Sequence, residues 1–164
     1  MPIISIIAAI AENHAIGYKN QLLCHIPDDL KRFKRLTLNH PIIMGRNTFL
    51  SLPKGALPER KNIVVTHQLL EFEGCATVHS IEDAVEICKN EEEIFIIGGS
   101  SLYSQIVPKA DKMYLTHIYA TFQADAFFPT IVDDEWKKVF SEYHPATDKI
   151  PFGYSFVNYE HIHV

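Results

Sequence analysis

The chain has 164 residues, of which 47% are hydrophobic and 21% are charged, and its formal net charge is −5. This length and composition predict a single globular domain over residues 1–164, and they exclude disordered or repetitive chains. The acidic balance argues against general binding to nucleic acid. Three cysteines without a Cys-x-x-Cys pair and nine scattered histidines indicate neither a disulfide framework nor a metal site.

The first predicted elements alternate between strand and helix. The apolar start at residues 2–10 has no basic leader and is too short to span a bilayer, so it predicts a buried parallel strand at 3–9. We therefore expect a cytoplasmic protein with no membrane partner. The next predicted elements are a loop at 12–25, a helix at about 27–37, a short strand at 41–44, a helix beginning at 45 and a loop at 53–58.

The second half of the chain continues this alternation and then changes to long strands. Its predicted elements are strands at 62–66 and 75–79, an amphipathic helix capped by Ser80 with Asp83, a strand at 93–97, a helix at 100–107 ended by Pro108, and a strand at 113–119. The last two strands, 136–144 and 153–163, form a hairpin in which His161 and His163 alternate as strand residues do. The order predicts an α/β fold, doubly wound, with a mainly parallel central sheet, helices on both faces and a C-terminal antiparallel edge hairpin.

Residues 26–33 place a carboxylate and an aromatic ring on the first turns of a helix. Pro27 suits the first helical position, and Asp29 and Phe33 are four residues apart and so share a face. A carboxylate on an apolar face is unfavourable unless a group binds it, which makes Asp29 a candidate for docking a cationic or amide-like ligand edge. Alternatively, Asp28 and Asp29 only stabilise the positive end of the helix dipole.

Two junctions between a strand and a helix suit phosphate groups. Gly45–Thr48 offers backbone N–H groups and the guanidinium of Arg46, and the two glycines of Gly98–Ser101 let a ligand approach the backbone closely. Either junction alone is often only a tight turn. Because the carboxyl ends of strands in such a sheet line one crevice, the pair predicts a dinucleotide with an extra phosphate, which is the shape of NADPH.

Other polar residues could complete this site. Thr66, His67 and Gln68 close a third strand and could donate to the extra phosphate, with His79 a weaker candidate; both histidines could equally be ordinary surface residues. Arg60 suits a substrate carboxylate if it lines the crevice, and is otherwise a solvated turn residue.

At this point the sequence resembles a bacterial dihydrofolate reductase over essentially its whole length. Eight segments follow the order and spacing of that family: 7–10, 16–17, 26–30 with 33–34, 43–49, 57–62, 96–99 with 103, 114–118, and 125 with 128–129. The resemblance implies NADPH-dependent reduction of 7,8-dihydrofolate to 5,6,7,8-tetrahydrofolate, with hydride transfer to pterin C6 and protonation of N5. It further implies a role in one-carbon metabolism and in thymidylate and purine synthesis, and binding of folate analogues, which would make the protein an antifolate target.

The resemblance also implies roles for individual residues. Asp29 would bind the 2-amino group and N3 of the pterin, supported by Thr116, while Arg60 would hold the glutamate carboxylate with Lys34 nearby. The pterin and benzoyl pocket would be lined by Ile7, Phe33, Leu52 and Leu57. The NADPH contacts would be Ala9, Ile16, Gly45, Arg46, Asn47, Thr48, Val65, Thr66, His67, Gly98, Gly99, Ser100, Ser101, Leu102 and Tyr103. Residues 12–25 would close over the nicotinamide.

One departure from the family bears on the pocket. Cys24 stands where the family usually has Trp, which predicts a looser and wetter pocket edge. Two other functions stay open: a reductase of another pterin- or pyrimidine-like substrate on the same scaffold, and a non-catalytic folate or nucleotide binder. We expect a monomer, since no exposed apolar heptad is present.

Overall fold

The structure is a computed structural model that describes residues 1–162, so His163 of the predicted hairpin lies outside the described residues. The strands are β1 (Ile3–Ala11), β2 (Ala15–Gly17), β3 (Ile42–Gly45), β4 (Asn62–Val65), β5 (Cys75–Val78), β6 (Glu93–Gly98), β7 (Lys112–Ile118), β8 (Ala126–Phe127), β9 (Trp136–His144) and β10 (Tyr154–His161). The helices are α1 (Pro27–Thr37), α2 (Arg46–Leu50), α3 (Ile81–Ile87) and α4 (Ser100–Ile106), with 3-10 turns at Val107–Lys109 and Asp133–Glu135.

Eight of these strands form one sheet in the order β5-β4-β3-β6-β1-β7-β10-β9. Every pairing from β5 to β7 is parallel, whereas β10 runs antiparallel to both β7 and β9. The predicted mainly parallel sheet with a C-terminal antiparallel edge hairpin is therefore confirmed. Its middle strands β3, β6 and β1 are mostly apolar because both faces are covered.

The alternation of side chains along β1 shows how the two faces are filled. Ile6 and Ile10 point into a core with α3 and α4, and Ile7 points to the opposite face, toward α1. On the first face the helices contribute Ile81, Ala84, Cys88, Leu102, Tyr103 and Ile106. On the second face Phe33 and Leu36 of α1 pack with Phe49 and Leu52. Helices thus cover both faces of the sheet, as predicted.

The helix boundaries follow the predicted signals closely. Pro27 is the first residue of α1, and the Ser80 hydroxyl accepts a hydrogen bond from the Asp83 backbone N–H at 3.0 Å at the start of α3. The helix α4 ends at Ile106, one residue before the predicted end, and Pro108 lies inside the 3-10 turn that follows it. In residues 1–162, no helix is both long enough and apolar enough to cross a membrane.

The prediction of an uninterrupted loop at 12–25 is wrong. Residues 15–17 form β2, which pairs antiparallel with β8, a strand that the sequence pattern did not predict. Strands of two or three residues are too short for an alternating pattern to be visible, and their partner lies more than a hundred positions away. Side chains also join these segments: Asn13 Nδ2 donates to the Phe122 carbonyl at 2.8 Å, and Asp125 accepts from the Lys19 backbone at 3.0 Å.

Candidate active site

Asp29 lies in the first turn of α1 and faces the centre of the sheet. Thr116, on β7, is 1% exposed, and its hydroxyl donates a hydrogen bond to Asp29 Oδ1. The two residues are 87 positions apart in sequence. They meet because α1 crosses the sheet face beside the β1–β7 pair, where Thr116 is in register with Ala9. A carboxylate with only one bonded oxygen keeps acceptor capacity for a ligand.

The surroundings of Asp29 change its acidity. Burial raises the pKa of the Asp29 carboxyl above its ordinary value, while the Thr116 hydrogen bond and the charge of Arg32 act in the opposite direction. Cys24 is also affected, because burial and the nearby Asp29 charge raise the pKa of its thiol to about 11. The thiol is therefore neutral and weakly nucleophilic at physiological pH.

A narrow cleft opens beside this carboxylate. It is lined by Ala9, Ile16, Leu22, Leu23, Cys24, Ile26, Asp29 and Ile118. Asp29 carries the only carboxyl group in a lining that is otherwise apolar apart from the thiol. A flat ligand with one polar edge suits such a cleft, since its ring system meets apolar side chains and its edge meets Asp29. The predicted position of Cys24 at the pocket edge agrees with this lining.

The two glycine-containing junctions lie side by side, because β3 and β6 are neighbours in the sheet. Gly98 has φ +134°, and a Cβ there would lie 3.1 Å from Thr48 Oγ1 and 3.6 Å from the Tyr103 hydroxyl. A Cβ on Gly45 would come within 4.0 Å of the Gly98 carbonyl. The peptide bond between Gly98 and Gly99 is cis. The two junctions therefore meet at one edge of the sheet, where their glycines leave main chain without side chains.

Tyr103 lies next to Gly98 on the side of the protein core. It is buried, its hydroxyl donates to the Ile7 carbonyl at 2.8 Å, and its ring packs on Phe128 at 5.0 Å between centroids. Burial raises the pKa of its phenol strongly. Leu102 is likewise buried in the core, and Val65 packs against that core.

The ends of β3, β4 and β5 carry a connected polar group. Arg46 is half-buried at the start of α2, and its Nη1 lies 3.4 Å from Gln68 Oε1. The Gln68 backbone N–H donates to Thr66 Oγ1 at 3.2 Å, and His79 Nδ1 donates to the Thr66 carbonyl at 2.9 Å. His67 and Asn47 are exposed nearby in sequence. Hydrogen bonds thus connect Arg46, Gln68, Thr66 and His79 at this edge of the sheet.

Arg60 is held at the opposite end of α1 from Asp29. Its Nε donates to the Pro58 carbonyl at 2.9 Å and its Nη1 to Thr37 Oγ1 at 3.1 Å. Partial burial lowers the pKa of the guanidinium, opposed by Glu59. Lys34 is exposed on the same helix. The Arg60 guanidinium is therefore held about two helical turns along α1 from the Asp29 carboxyl.

Two residues of this region were not assigned a role from the sequence. Asn62 is buried and accepts from the Leu57 N–H at 2.9 Å while donating to the Leu57 and Arg60 carbonyls at 2.8 and 2.9 Å, which fixes the loop that carries both residues. Arg32 is 5% exposed and follows Asp29 by three positions on α1. The helical spacing of Arg32 from Asp29 was the available signal.

Comparisons with known proteins place this geometry in context. The family model described as dihydrofolate reductase matches residues 3–161. The chain is 46% identical to the dihydrofolate reductase of Bacillus subtilis (strain 168) over 96% of this chain and 94% of that protein. It is 43% identical to the enzyme of the same name from Haemophilus influenzae, over 88% and 90% of the two chains. A solved structure of dihydrofolate reductase from Enterococcus faecalis, complexed with NADP(H) and RAB-propyl, superposes with a TM-score of 0.90 at 31% identity, covering 98% of this chain and 97% of that one.

Proposed function

The chain belongs to the dihydrofolate reductase family of oxidoreductases, and we propose that it reduces 7,8-dihydrofolate to 5,6,7,8-tetrahydrofolate with NADPH. The observation that carries the proposal is the half-buried Asp29 carboxyl, hydrogen-bonded by the buried Thr116, in the wall of an otherwise apolar cleft. A carboxylate in that setting is unfavourable until a ligand with an amino and amide edge binds it, and the pterin ring presents such an edge.

Residues beside α1 suit the rings and the glutamate tail of the substrate. Ile7, Phe33, Leu52 and Leu57 share one hydrophobic cluster beside α1, which suits the flat pterin and benzoyl rings. Arg60, anchored to Thr37 and Pro58, presents its remaining N–H groups to the α-carboxylate of the glutamate tail. Lys34, exposed on α1, would lie near that tail. Antifolates and other folate analogues would use the same contacts.

The glycine-lined crevice fits NADPH. Gly98 and Gly99 carry no side chain beside Thr48, so the diphosphate of the cofactor could approach the main chain there, with Ser100 and Ser101 at the start of α4. Gly45 and Asn47 would flank the diphosphate, and Ala9 and Ile16 lie on the side of the cleft. Arg46, Thr66 and His67 would hold the 2′-phosphate end, with Val65 next to Thr66. Leu102 and Tyr103 would contact NADPH at the Gly98 junction. When bound, NADPH supplies the hydride.

The role of Asp29 follows from its position. Its carboxylate binds the pterin edge and favours the reactive tautomer or protonation state of the substrate. It lies too far round the ring from N5 to deliver the proton directly, so water carries that proton. Thr116 orients the carboxylate through its hydrogen bond. Residues 12–25, including β2, would close over the nicotinamide and exclude bulk water.

The first test is a turnover assay. Purified protein is mixed with dihydrofolate and NADPH, the loss of nicotinamide absorbance is followed, and NADH serves as the control. We expect rapid oxidation of NADPH and much slower oxidation of NADH. NADPH binding without oxidation would instead support a non-catalytic binder, and oxidation with another pterin but not with dihydrofolate would support a different substrate.

The Asp29→Asn variant tests the chemical assignment. It keeps the shape of the side chain and should bind NADPH normally, while turnover at pH 7 falls by about 10²–10⁴-fold, the usual scale for acid–base assistance. Low pH should restore part of the rate, because bulk acid can then protonate the substrate. Unchanged turnover at pH 7 would remove Asp29 from the mechanism.

The proposal includes the state of the molecule. We propose that the chain acts as one domain and as a monomer, with folates and NADPH rather than nucleic acid as its ligands. In support, the hydrophobic clusters of the described residues all share the strands of one sheet. Sedimentation of the purified protein at assay concentration would reveal a larger assembly.

A further inference from the structure

Arg32 is a buried cation with an unusual set of partners. Its Nη2 donates to Asn158 Oδ1 on β10, and its guanidinium carbon lies 4.8 Å from the ring centre of Phe156 and 6.0 Å from that of Tyr114. An arginine is seldom as buried as this, 5% exposed, without a paired carboxylate. Here the hydrogen-bonding partner is a neutral amide, so the positive charge is held in place but not neutralised by contact.

The nearest carboxylate along the helix is Asp29. Residues three apart on a helix are neighbours on its surface, with Cβ atoms roughly 5–6 Å apart. Both side chains are turned toward the sheet, where charges attract more strongly than in water because the surroundings polarise less. In agreement, burial raises the pKa of the Asp29 carboxyl and the charge of Arg32 opposes that change, while burial lowers the pKa of the Arg32 guanidinium and the charge of Asp29 opposes it.

We propose that Arg32 is a positioning residue for the reductase reaction: anchored by Asn158 and two aromatic rings, its guanidinium keeps the Asp29 carboxylate charged and ready to bind the substrate edge. This inference rests on the proposed function, because it assigns Arg32 to the same site. Arg32 is not part of the cleft lining, and it acts through Asp29.

Other groups also face Asp29, and the test must separate them from Arg32. They come from the loop before α1, from α4, from β7 and from β10, and they are Cys24, Tyr103, Thr116 and Tyr154. Within the described residues, each of these is neutral at physiological pH. Arg32 is therefore the group whose removal changes the local charge while the hydroxyls and the thiol stay in place.

The chain provides a matched control for this charge. Arg35 lies on the same helix, is exposed and carries the same charge, but it faces solvent. The test compares Arg32→Gln, Arg32→Lys and Arg35→Gln. In each protein the titration of the Asp29 carboxyl is followed by ¹³C NMR without ligands, using Asp29→Asn to assign the signal, and the pH profile of kcat/KM is measured alongside.

In Arg32→Gln we expect the Asp29 titration to move up by about one pH unit, the lower end of the range for a nearby opposite charge. The limb of the kcat/KM profile that follows Asp29 should move up with it. Arg32→Lys keeps the charge and should restore the natural titration to within a few tenths of a pH unit. Arg35→Gln should leave both measurements unchanged.

An Asp29 titration that stays in place in Arg32→Gln, or that moves as far in Arg35→Gln, would overturn the proposal. If Arg32→Gln does not fold, Asn158→Ala decides: releasing the anchored guanidinium should still raise the Asp29 titration, and no change would overturn the proposal. The NMR titration does not need turnover. A natural protein that fails to oxidise NADPH would thus refute the proposed function while leaving the Arg32 result to be read separately.

Discussion

Removing the Arg46 charge should change which nicotinamide cofactor the protein prefers. In Arg46→Gln the side chain keeps much of its length but loses the cation proposed to face the 2′-phosphate. The guanidinium is half-buried and its bond to Gln68 is long, at 3.4 Å, so freeing Arg46 for a ligand sacrifices little. A hydrogen bond to a charged group contributes about 1.5–3 kcal/mol, and partial exposure favours the lower half of that range. This corresponds to a rise of about 10- to 50-fold in KM for NADPH.

The assay is steady-state oxidation of NADPH and of NADH at saturating dihydrofolate. NADH lacks the 2′-phosphate, so the KM for NADH should stay within about twofold of its natural value. The KM for NADH divided by the KM for NADPH should therefore fall by about 10- to 50-fold. Arg35→Gln makes the same change in net charge on an exposed part of α1 and should leave the ratio intact. Equal losses for both cofactors, or no loss for either, would refute the assignment of Arg46 to the phosphate.

Three further outcomes follow from the site. Alkylation of Cys24, followed by peptide mass spectrometry, should accelerate about tenfold per pH unit from pH 7 to 10, since its thiol has a pKa of about 11, and a folate analogue should protect it; a rate independent of pH would contradict this. Gly98→Ala should lower the free energy of unfolding, measured by urea titration, by about 1–3 kcal/mol, because a side chain is strained at φ +134° and would lie 3.1 Å from Thr48 Oγ1. Gly45→Ala is the control: its Cβ would make only ordinary contacts, so the free energy of unfolding should change little. Asp29→Asn should unfold at a higher urea concentration than the natural chain at pH 7. Burial raises the pKa of the Asp29 carboxyl, which means that the folded state holds the proton more tightly than the unfolded state. The stability of the natural chain therefore falls as pH rises from the ordinary pKa of 3.8 through the raised one, by at most about 1.4 kcal/mol per pH unit, and the advantage of the variant should vanish in acid.

The order of the strands and helices was predictable because each element carries its own local signal. Pro27 begins α1, Ser80 caps α3 through Asp83, and the apolar runs at 42–45 and 93–98 are buried strands. These signals depend on residues within one or two turns of each other. The small β2–β8 sheet was not predictable, because neither strand is long enough to show alternation and only their pairing makes them strands.

The candidate site likewise contains residues that local motifs reveal and contacts that depend on distant parts of the chain. The glycine junctions and the carboxylate at position 29 are visible as motifs, and the rule that strand ends share a crevice brings them together. The hydrogen bond from Thr116 to Asp29 spans 87 positions, and that from Arg32 to Asn158 spans 126. Whether a polar residue on β7 or β10 meets α1 depends on the strand order and register, which no local pattern of residues encodes.

This division has a chemical consequence. The residues that present ligand-binding atoms lie in short motifs, but the charge state of Asp29 is set by burial together with partners that arrive from distant strands. Thr116 is itself buried and holds one carboxylate oxygen, while Arg32 depends on Asn158 and on the Phe156 ring for its place. Two chains with the same motifs can therefore differ in the pH at which they bind substrate. In this chain the substitution that would move that pH without touching a ligand is at Arg32 or at its anchor, Asn158, on the far side of the helix–sheet interface.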